Sequence, residues 1–284
     1  MMLLKDKVAI ITGSSIGIGK AIAIAYAKEG ARLVLTSRTK SELELTKQEI
    51  ANISNTKVEI LSADVSDSEA VAALVNFTLK KFGNIDILVN CAGIYGPIGL
   101  VTEIDSTKWL ETVKINLFGT FLCMQAVLPV MMRNKKGKIV NMSGGGGASP
   151  LPRFSAYGTS KAGVIRLTET VANEVKDYQI DINAIAPGAV NTRLLDEALA
   201  AGESAGKDML AKSIKQKQEG GVPPEKVAEL AVFLASAKSD GISGRLISLL
   251  WDDWQKMPHH LGEIMDSDLY TMRRIVPKDR GYEW

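Results

Sequence analysis

Val8-Ala9-Ile10-Ile11-Thr12-Gly13-Ser14-Ser15-Ile16-Gly17-Ile18-Gly19, followed by an alanine-rich run over 20–29 and a stop at Gly30, sets the fold class. Residues 8–11 form a short apolar run rich in Ile and Val, the pattern of a buried strand. The glycines that follow let the backbone turn and approach a bound group closely. The run 20–29 reads as a helix, with Gly30 past its end. At such a junction the helix N-terminus offers unpaired N–H groups to an anion, as a dinucleotide pyrophosphate requires. In isolation the same glycines describe an ordinary turn; the strand before and the helix after give them specificity.

The alternation continues outward from this unit. Strands are expected at 32–36, 57–62, 85–90, 138–142, 181–185 and 246–250. Helices are expected at 40–53, 67–82, within 105–133 with Asp105 as a candidate N-cap, at 162–175, 208–218 and 224–237. Regular strand–helix alternation predicts an α/β fold, a doubly wound parallel sheet of the Rossmann type covered on both faces. Ligands on such sheets bind beyond the carboxyl ends of the strands. The polar and glycine-rich clusters here all follow strands, so they converge at one edge.

Bulk properties narrow the function. The chain has 284 residues, enough for one large domain with a sizeable core. With 34 basic and 32 acidic side chains the net charge is +2, without the basic excess of a general nucleic-acid binder. Two cysteines in apolar contexts, Cys91 and Cys123, read as buried thiols in a reducing cytoplasm. The start, residues 1–6, is too short and charged for a signal peptide. The apolar run 115–132 contains Asn116, Thr120, Gln125 and Pro129, so it reads as a buried or subunit-facing helix and no membrane partner is expected. His259-His260 has no second ligand cluster, so no metal is expected.

Tyr157 and Lys161 stand four apart where a helix begins, and so share one face. A free phenol has a pKa of ~10. A neighbouring ammonium favours the phenolate and is expected to bring that value toward neutrality, as a proton shuttle requires. On its own the pair fits any solvated helix face.

Thr12-Gly13-x-x-x-Gly17-x-Gly19, Asn90-Cys91-Ala92-Gly93, Ser143, Tyr157-x-x-x-Lys161 and Pro187-Gly188, in this order, resemble the short-chain dehydrogenase/reductase family from about residue 5 to 250. The resemblance implies an oxidoreductase moving a hydride between a nicotinamide cofactor and a carbonyl or secondary alcohol. It implies that Tyr157 is the general acid/base and that Lys161 holds the nicotinamide ribose and tunes the phenol. Ser143 would stabilise the reacting oxygen, and Asn116 would support the Lys161 side of a proton relay through water. Gly13, Ser15, Ile16, Gly17, Ile18 and Gly19 would face the cofactor's phosphates and ribose. Asp64 and Val65 would border the adenine. Asn90 would tie neighbouring strands, with Ala92 and Gly93 beside the cofactor. Pro187, Gly188, Val190 and Thr192 would line the nicotinamide. At the end of the second strand stand Ser37 and Arg38 instead of the acid that bonds a ribose 2′-hydroxyl, so NADP is the expected cofactor and NAD a possible one. A homodimer or homotetramer, packed through the helices ending near Arg133 and Tyr178, is implied as well.

Two departures from the family pattern stand out. Its serine usually lies one residue nearer the tyrosine; here Ser143 lies fourteen before Tyr157 and the customary place holds Gly144. Slack in the glycine-rich loop is expected to bring Ser143 back into position, with Ser149 as a lesser rival. The domain 1–250 is followed by an extension, 251–284, too short to fold alone and expected to dock on the domain or on a neighbouring subunit. It either closes the substrate pocket, with Arg273 and Arg274 meeting an anion, or serves assembly alone. Residues 191–221 are expected to form a substrate lid. A 3-oxoacyl thioester reductase and a non-catalytic cofactor-binding scaffold are the alternatives to a general carbonyl reductase.

Overall fold

The computed structural model describes residues 2–284; residue 1, part of the short charged start, lies outside it. Seven strands, β1 (Val8–Thr12), β2 (Arg32–Thr36), β3 (Val58–Ile60), β4 (Ile87–Asn90), β5 (Gly137–Met142), β6 (Ile180–Ala186) and β7 (Arg245–Ser248), form one sheet in the order β3-β2-β1-β4-β5-β6-β7. Every pairing is parallel. The chain runs outward from β1 to β3, then returns to lay β4 on the other side of β1. That reversal opens the crevice in which such sheets bind ligands.

Alternation along β1 sends Ala9 and Ile11 to one face and Ile10 to the other, so each feeds a different core. On the first face pack α1 (Gly17–Lys28), α2 (Lys40–Ala51) and, further along the chain, the helix Pro224–Ala235; the Tyr26 hydroxyl of α1 donates to the Ala231 carbonyl at 2.9 Å. On the second face pack α3 (Ser68–Phe82), α5 (Gly119–Asn134) and the helix Ser155–Glu174, with α4 (Ser106–Val113) set against that last helix. Asp67 and Asp105 cap α3 and α4, each accepting two backbone N–H groups with its carboxylate.

The helix expected within 105–133 is not one regular helix. A π-helical turn, Lys114–Phe118, joins α4 to α5 and carries Asn116. Such a turn widens the backbone ladder and is common at functional sites. By length and composition the run Ser106–Asn134 could cross a membrane, but 56% of its most apolar stretch is buried inside the fold.

After β5 come the single turn α6 (Gly145–Ala148) and α7 (Ser155–Glu174); after β6 come α8 (Arg193–Ala200) and α9 (Lys207–Glu219), then α10 (Pro224–Ala235). The expected lid is therefore a pair of helices. An isolated parallel bridge, Val190 to Val222, clasps the two ends of that excursion. The last strand ends at Ser248, short of the expected 250; the Leu249 N–H still reaches the Ala186 carbonyl, and the Asp252 carboxylate accepts the Ser248 N–H at 2.7 Å.

The extension lies on the domain. Trp254 packs on Phe233 of α10 at 5.1 Å between ring centroids, and Met257 and Ile264 are buried; Ile264 belongs to the short helix α11 (Leu261–Met265). The buried Arg245 guanidinium donates to the carbonyls of Ile264 and Ser267, at 2.7 and 3.2 Å. Glu169 of α7 accepts the Met272 N–H at 2.6 Å, and the Leu246 N–H donates to the Tyr270 carbonyl. Removing residues 255–284 strips these hydrogen bonds from Arg245 and Glu169 and uncovers the apolar surface on which Met257 and Ile264 are buried. Truncation is expected to lower the melting temperature by roughly 5 °C or more, measured by calorimetry alongside molecular mass.

Candidate active site

The loops at the carboxyl ends of the strands enclose one cavity of about 740 Å³. Its floor at one end is the turn between β1 and α1. Gly13 and Gly17 hold left-handed φ values of +63° and +56°. A Cβ on Gly13 would lie 2.8 Å from the Ala92 backbone, and one on Gly19 only 2.2 Å from the Gly13 carbonyl oxygen. Ile16 caps α1 with no side-chain hydrogen bond, so the first-turn N–H groups face the cavity mouth uncapped. This cradle, which any Cβ would fill, fits a dinucleotide pyrophosphate.

Ser37, Arg38, Asp64 and Val65 line the same end. Burial pushes the Asp64 carboxyl upward, but the Ser66 N–H and hydroxyl and the Arg38 guanidinium outweigh it and hold Asp64 below its ordinary value. A carboxylate that the sequence pattern does not mark, Glu42, also lines this end and accepts the Ser15 hydroxyl at 2.9 Å. It sits on α2 rather than at the strand end, where the family pattern places its acid.

Tyr157 and Lys161 sit in the first two turns of α7 and are 7% and 5% exposed. The Lys161 ammonium donates to the Met142 carbonyl at 2.8 Å and lies 5.7 Å from the Tyr157 ring centroid. The expected lowering of the phenol pKa is not what this environment sets. Burial raises the Tyr157 phenol above its ordinary value, and charge on Tyr95 or Cys91 raises it further. The same burial brings the Lys161 ammonium down to about 8, against a small upward pull from Cys91. Desolvation wins for both groups because neither reaches an opposite charge.

Ser143 lines the cavity, but its side chain does not do what the sequence implied. Its hydroxyl donates to the Lys161 carbonyl at 3.4 Å. The position directed at the tyrosine is Gly144, where a Cβ would lie 2.1 Å from the Tyr157 hydroxyl oxygen. Neighbouring residues at a strand end point to opposite sides, so a shift of one in sequence reverses the side chain. The rival, Ser149, is exposed. Ser143→Ala is therefore expected to keep kcat within about threefold in a steady-state assay, the effect of one weak neutral hydrogen bond.

Of the catalytic and cofactor-binding residues assigned from sequence, all but Asn90 and Asn116 line this cavity; Arg273 and Arg274 of the extension do not. Asn90 donates to Asn141 at 2.8 Å, tying β4 to β5 beneath it. Asn116 is wholly buried; its amide accepts the Ile94 N–H and donates to the Ile94 carbonyl, both at 2.9 Å, and to the Ser160 hydroxyl at 3.0 Å. It clamps the loop after β4. Gly93 permits this, since a Cβ there would lie 3.2 Å from Asn116 Oδ1 and 3.4 Å from Lys161 Nζ.

Residues the sequence did not single out complete the wall. Tyr95, Leu151, Leu194, Ala198 and Met209 form an apolar cluster around Tyr157. Trp251, Asp252 and Tyr270 bring the extension to the cavity. Arg273, expected to meet an anion, instead pairs with Asp268 and Asp279. His259 and His260 are exposed, and among the described residues no group of three or more His, Cys, Asp or Glu side chains could hold a metal ion.

Residues 7–202 match the family model for short chain dehydrogenase. The chain is 34% identical over 248 residues to the 3-oxoacyl-acyl-carrier-protein reductase FabG of Thermotoga maritima, covering 87% of this chain and 98% of the relative. It is 35% identical over 253 residues to glucose 1-dehydrogenase 2 of Bacillus subtilis, covering 85% of this chain and 92% of the relative. Among solved structures it resembles a single-residue variant of actinorhodin polyketide ketoreductase with NADPH, at TM-score 0.80 and 27% identity over 87% of this chain and 97% of that one.

Proposed function

The chain belongs to the short-chain dehydrogenase family, and from that premise we propose that it is an NADP-preferring carbonyl reductase with Tyr157 as its general acid. Its activity is hydride transfer between NAD(P)(H) and a carbonyl or secondary alcohol. The observation that carries the catalytic reading is the burial of Tyr157 and Lys161 side by side in the cavity that also holds the glycine cradle.

When bound, the nicotinamide cofactor supplies or accepts the hydride. Gly13, Gly17 and Gly19 would hold its pyrophosphate, Ser37 and Arg38 its adenine ribose, and Pro187, Gly188, Val190 and Thr192 its nicotinamide end. Tyr157 gives a proton to the carbonyl oxygen as that oxygen gains charge. A phenol raised by burial is fully protonated at neutral pH, which suits the direction of reduction. Lys161, fixed on the Met142 carbonyl, supplies positive charge beside the phenol. The Asn116 clamp keeps the loop after β4 against α7.

The wall around Tyr157 is apolar, which favours a ketone flanked by hydrocarbon over a polyhydroxylated sugar. A 3-oxoacyl thioester reductase is the second reading, favoured by the relative that carries that name. Absorbance loss from NADPH with a panel of ketones, 3-oxoacyl thioesters and sugars tests both. Cofactor binding without oxidation of NADPH by any of them would leave a binding scaffold.

NADP preference rests on Arg38 and on the absence of an acid at position 37; Glu42 nearby is occupied by Ser15. Replacing Ser37→Asp together with Arg38→Ile is expected to shift the NADPH/NADH ratio of kcat/KM by about 10–100-fold toward NADH, the worth of one charge-assisted contact. An unmoved ratio sinks this assignment.

A cytoplasmic homodimer or homotetramer completes the reading. Both cysteines are free, and α4, the π-helical turn and α5 carry the exposed side chains Leu110, Phe118 and Phe121 in that order, with the two Phe rings stacked at 5.9 Å. Light scattering of a Phe118→Ser, Phe121→Ser double variant tests whether that face joins subunits.

A further inference from the structure

We propose that Tyr95 is a second catalytic hydroxyl, donating a hydrogen bond to the substrate oxygen in place of the side chain that Gly144 lacks. This rests on the reductase reading above. Reduction of a ketone places charge on its oxygen, and a buried site needs a donor there besides the proton source. The hydroxyls nearby are otherwise engaged. Ser143 donates to the Lys161 carbonyl, and Ser160 donates to the Tyr157 carbonyl at 2.7 Å. Gly144, whose Cβ position abuts the Tyr157 hydroxyl, has nothing to give.

Tyr95 lines the same cavity, and its ring meets the Tyr157 ring edge-on, with centroids 4.7 Å apart at 81°. Its hydroxyl has no hydrogen-bond partner among the described residues. Charge on Tyr95 is felt at Tyr157, as two phenols sharing a low-dielectric chamber require.

The ring is also held as a preorganised donor must be. Phe154 also packs against the Tyr95 ring, at 5.1 Å and 68°, and the Tyr95 backbone N–H donates to Glu197 of α8 at 3.4 Å. Asn116 fixes both backbone groups of the preceding residue, Ile94. The following residue, Gly96, lies so close to α4 that a Cβ there would fall 1.8 Å from the Thr112 hydroxyl oxygen. Such rigid support is what an oxyanion donor needs and what a merely space-filling aromatic does not.

In the step itself, hydride joins the carbonyl carbon as the π pair moves to oxygen. That oxygen then takes the Tyr157 proton. Tyr95 donates its hydrogen bond throughout and keeps its own proton. The net change is ketone, NADPH and a proton to alcohol and NADP⁺, with no further reagent.

Tyr95→Phe removes the hydroxyl and keeps the ring, so packing is preserved. With acetoacetyl coenzyme A as the 3-oxoacyl probe, or whichever panel ketone the wild type reduces, kcat is expected to fall about 10²-fold while KM for both reactants stays within about threefold. The melting temperature should match wild type. Tyr95→His, which returns a donor, should regain part of the loss. A readout free of turnover is the infrared stretch of the ¹³C-labelled ketone bound with oxidised NADP. It should rise toward its free-solution position in Tyr95→Phe, as one polarising bond is lost. Wild-type activity with Tyr95→Phe within threefold of it and the stretch unmoved overturns the assignment of Tyr95 alone. A wild type that oxidises NADPH with none of the ketones overturns the reductase reading, and this role with it.

Discussion

Tyr157→Phe is expected to lower kcat by about 10²–10⁴-fold, the usual worth of a positioned general acid, while NADPH still binds within about threefold of wild type. The change removes one oxygen from a ring whose contacts with Tyr95 and the surrounding apolar cluster remain. Binding and melting should therefore be spared, and fluorescence titration with NADPH separates the two effects. Turnover near the wild-type rate would end the proposed chemistry. The pH profile carries a second signature. In reduction the useful form has Tyr157 protonated and Lys161 charged. Tyr157 is held protonated well past neutrality by burial, whereas the Lys161 ammonium is lost as pH rises through about 8. A base with a lowered pKa is charged below that value and neutral above it. Reductive kcat/KM in wild type is thus expected to decline above about pH 8.

Gly19→Ala is expected to weaken NADPH binding by at least about 10²-fold and to cost roughly 1–3 kcal/mol of stability, the range for overpacking a rigid site. Its added Cβ would meet the Gly13 carbonyl oxygen at 2.2 Å and the carbonyl carbon at 2.8 Å. Both obstacles are backbone of the same cradle, so no side chain can swing aside. Relief requires α1 to move off the turn that would seat the pyrophosphate. Gly262→Ala is the matched control, because a Cβ there would meet nothing within 4 Å. Titration calorimetry with NADPH and thermal melts on both variants measure the difference. Equal affinities for Gly19→Ala and wild type would place the cofactor elsewhere.

The alternation of buried strands with helices was legible because β1, β4 and β5 are buried along their whole length, and each carries an apolar run, Val8–Ile11, Ile87–Val89 and Ile139–Val140. The cradle was legible because glycine leaves a mark in sequence wherever backbone must approach backbone. Ser143 was misread for a reason of the same scale. A one-residue offset looks absorbable in a flexible loop, but Ser143 is still tied to β6 through its N–H on the Ile185 carbonyl, and so keeps the orientation of the strand. Tyr157 was misread in sign. Four-residue spacing says that two groups share a face; it says nothing about how little water reaches them. Tyr95 carries no motif of its own. Its place is set by Phe154, Glu197 and Asn116, three residues scattered over the chain. Arg273 looked free in sequence because Asp268 and Asp279 come within reach only once the extension has folded back.

The extension's path past the last strand bears on how the protein behaves in a crowd. β7 closes one side of the sheet, and an uncovered strand there would offer a row of backbone donors and acceptors to any other extended chain. Here the Leu246 N–H is already taken by the Tyr270 carbonyl, and the Arg245 side chain pins the covering segment in place. Residues beyond the shared domain thus act as a guard against strand-to-strand aggregation, and a protease that clipped them would leave a chain prone to precipitate.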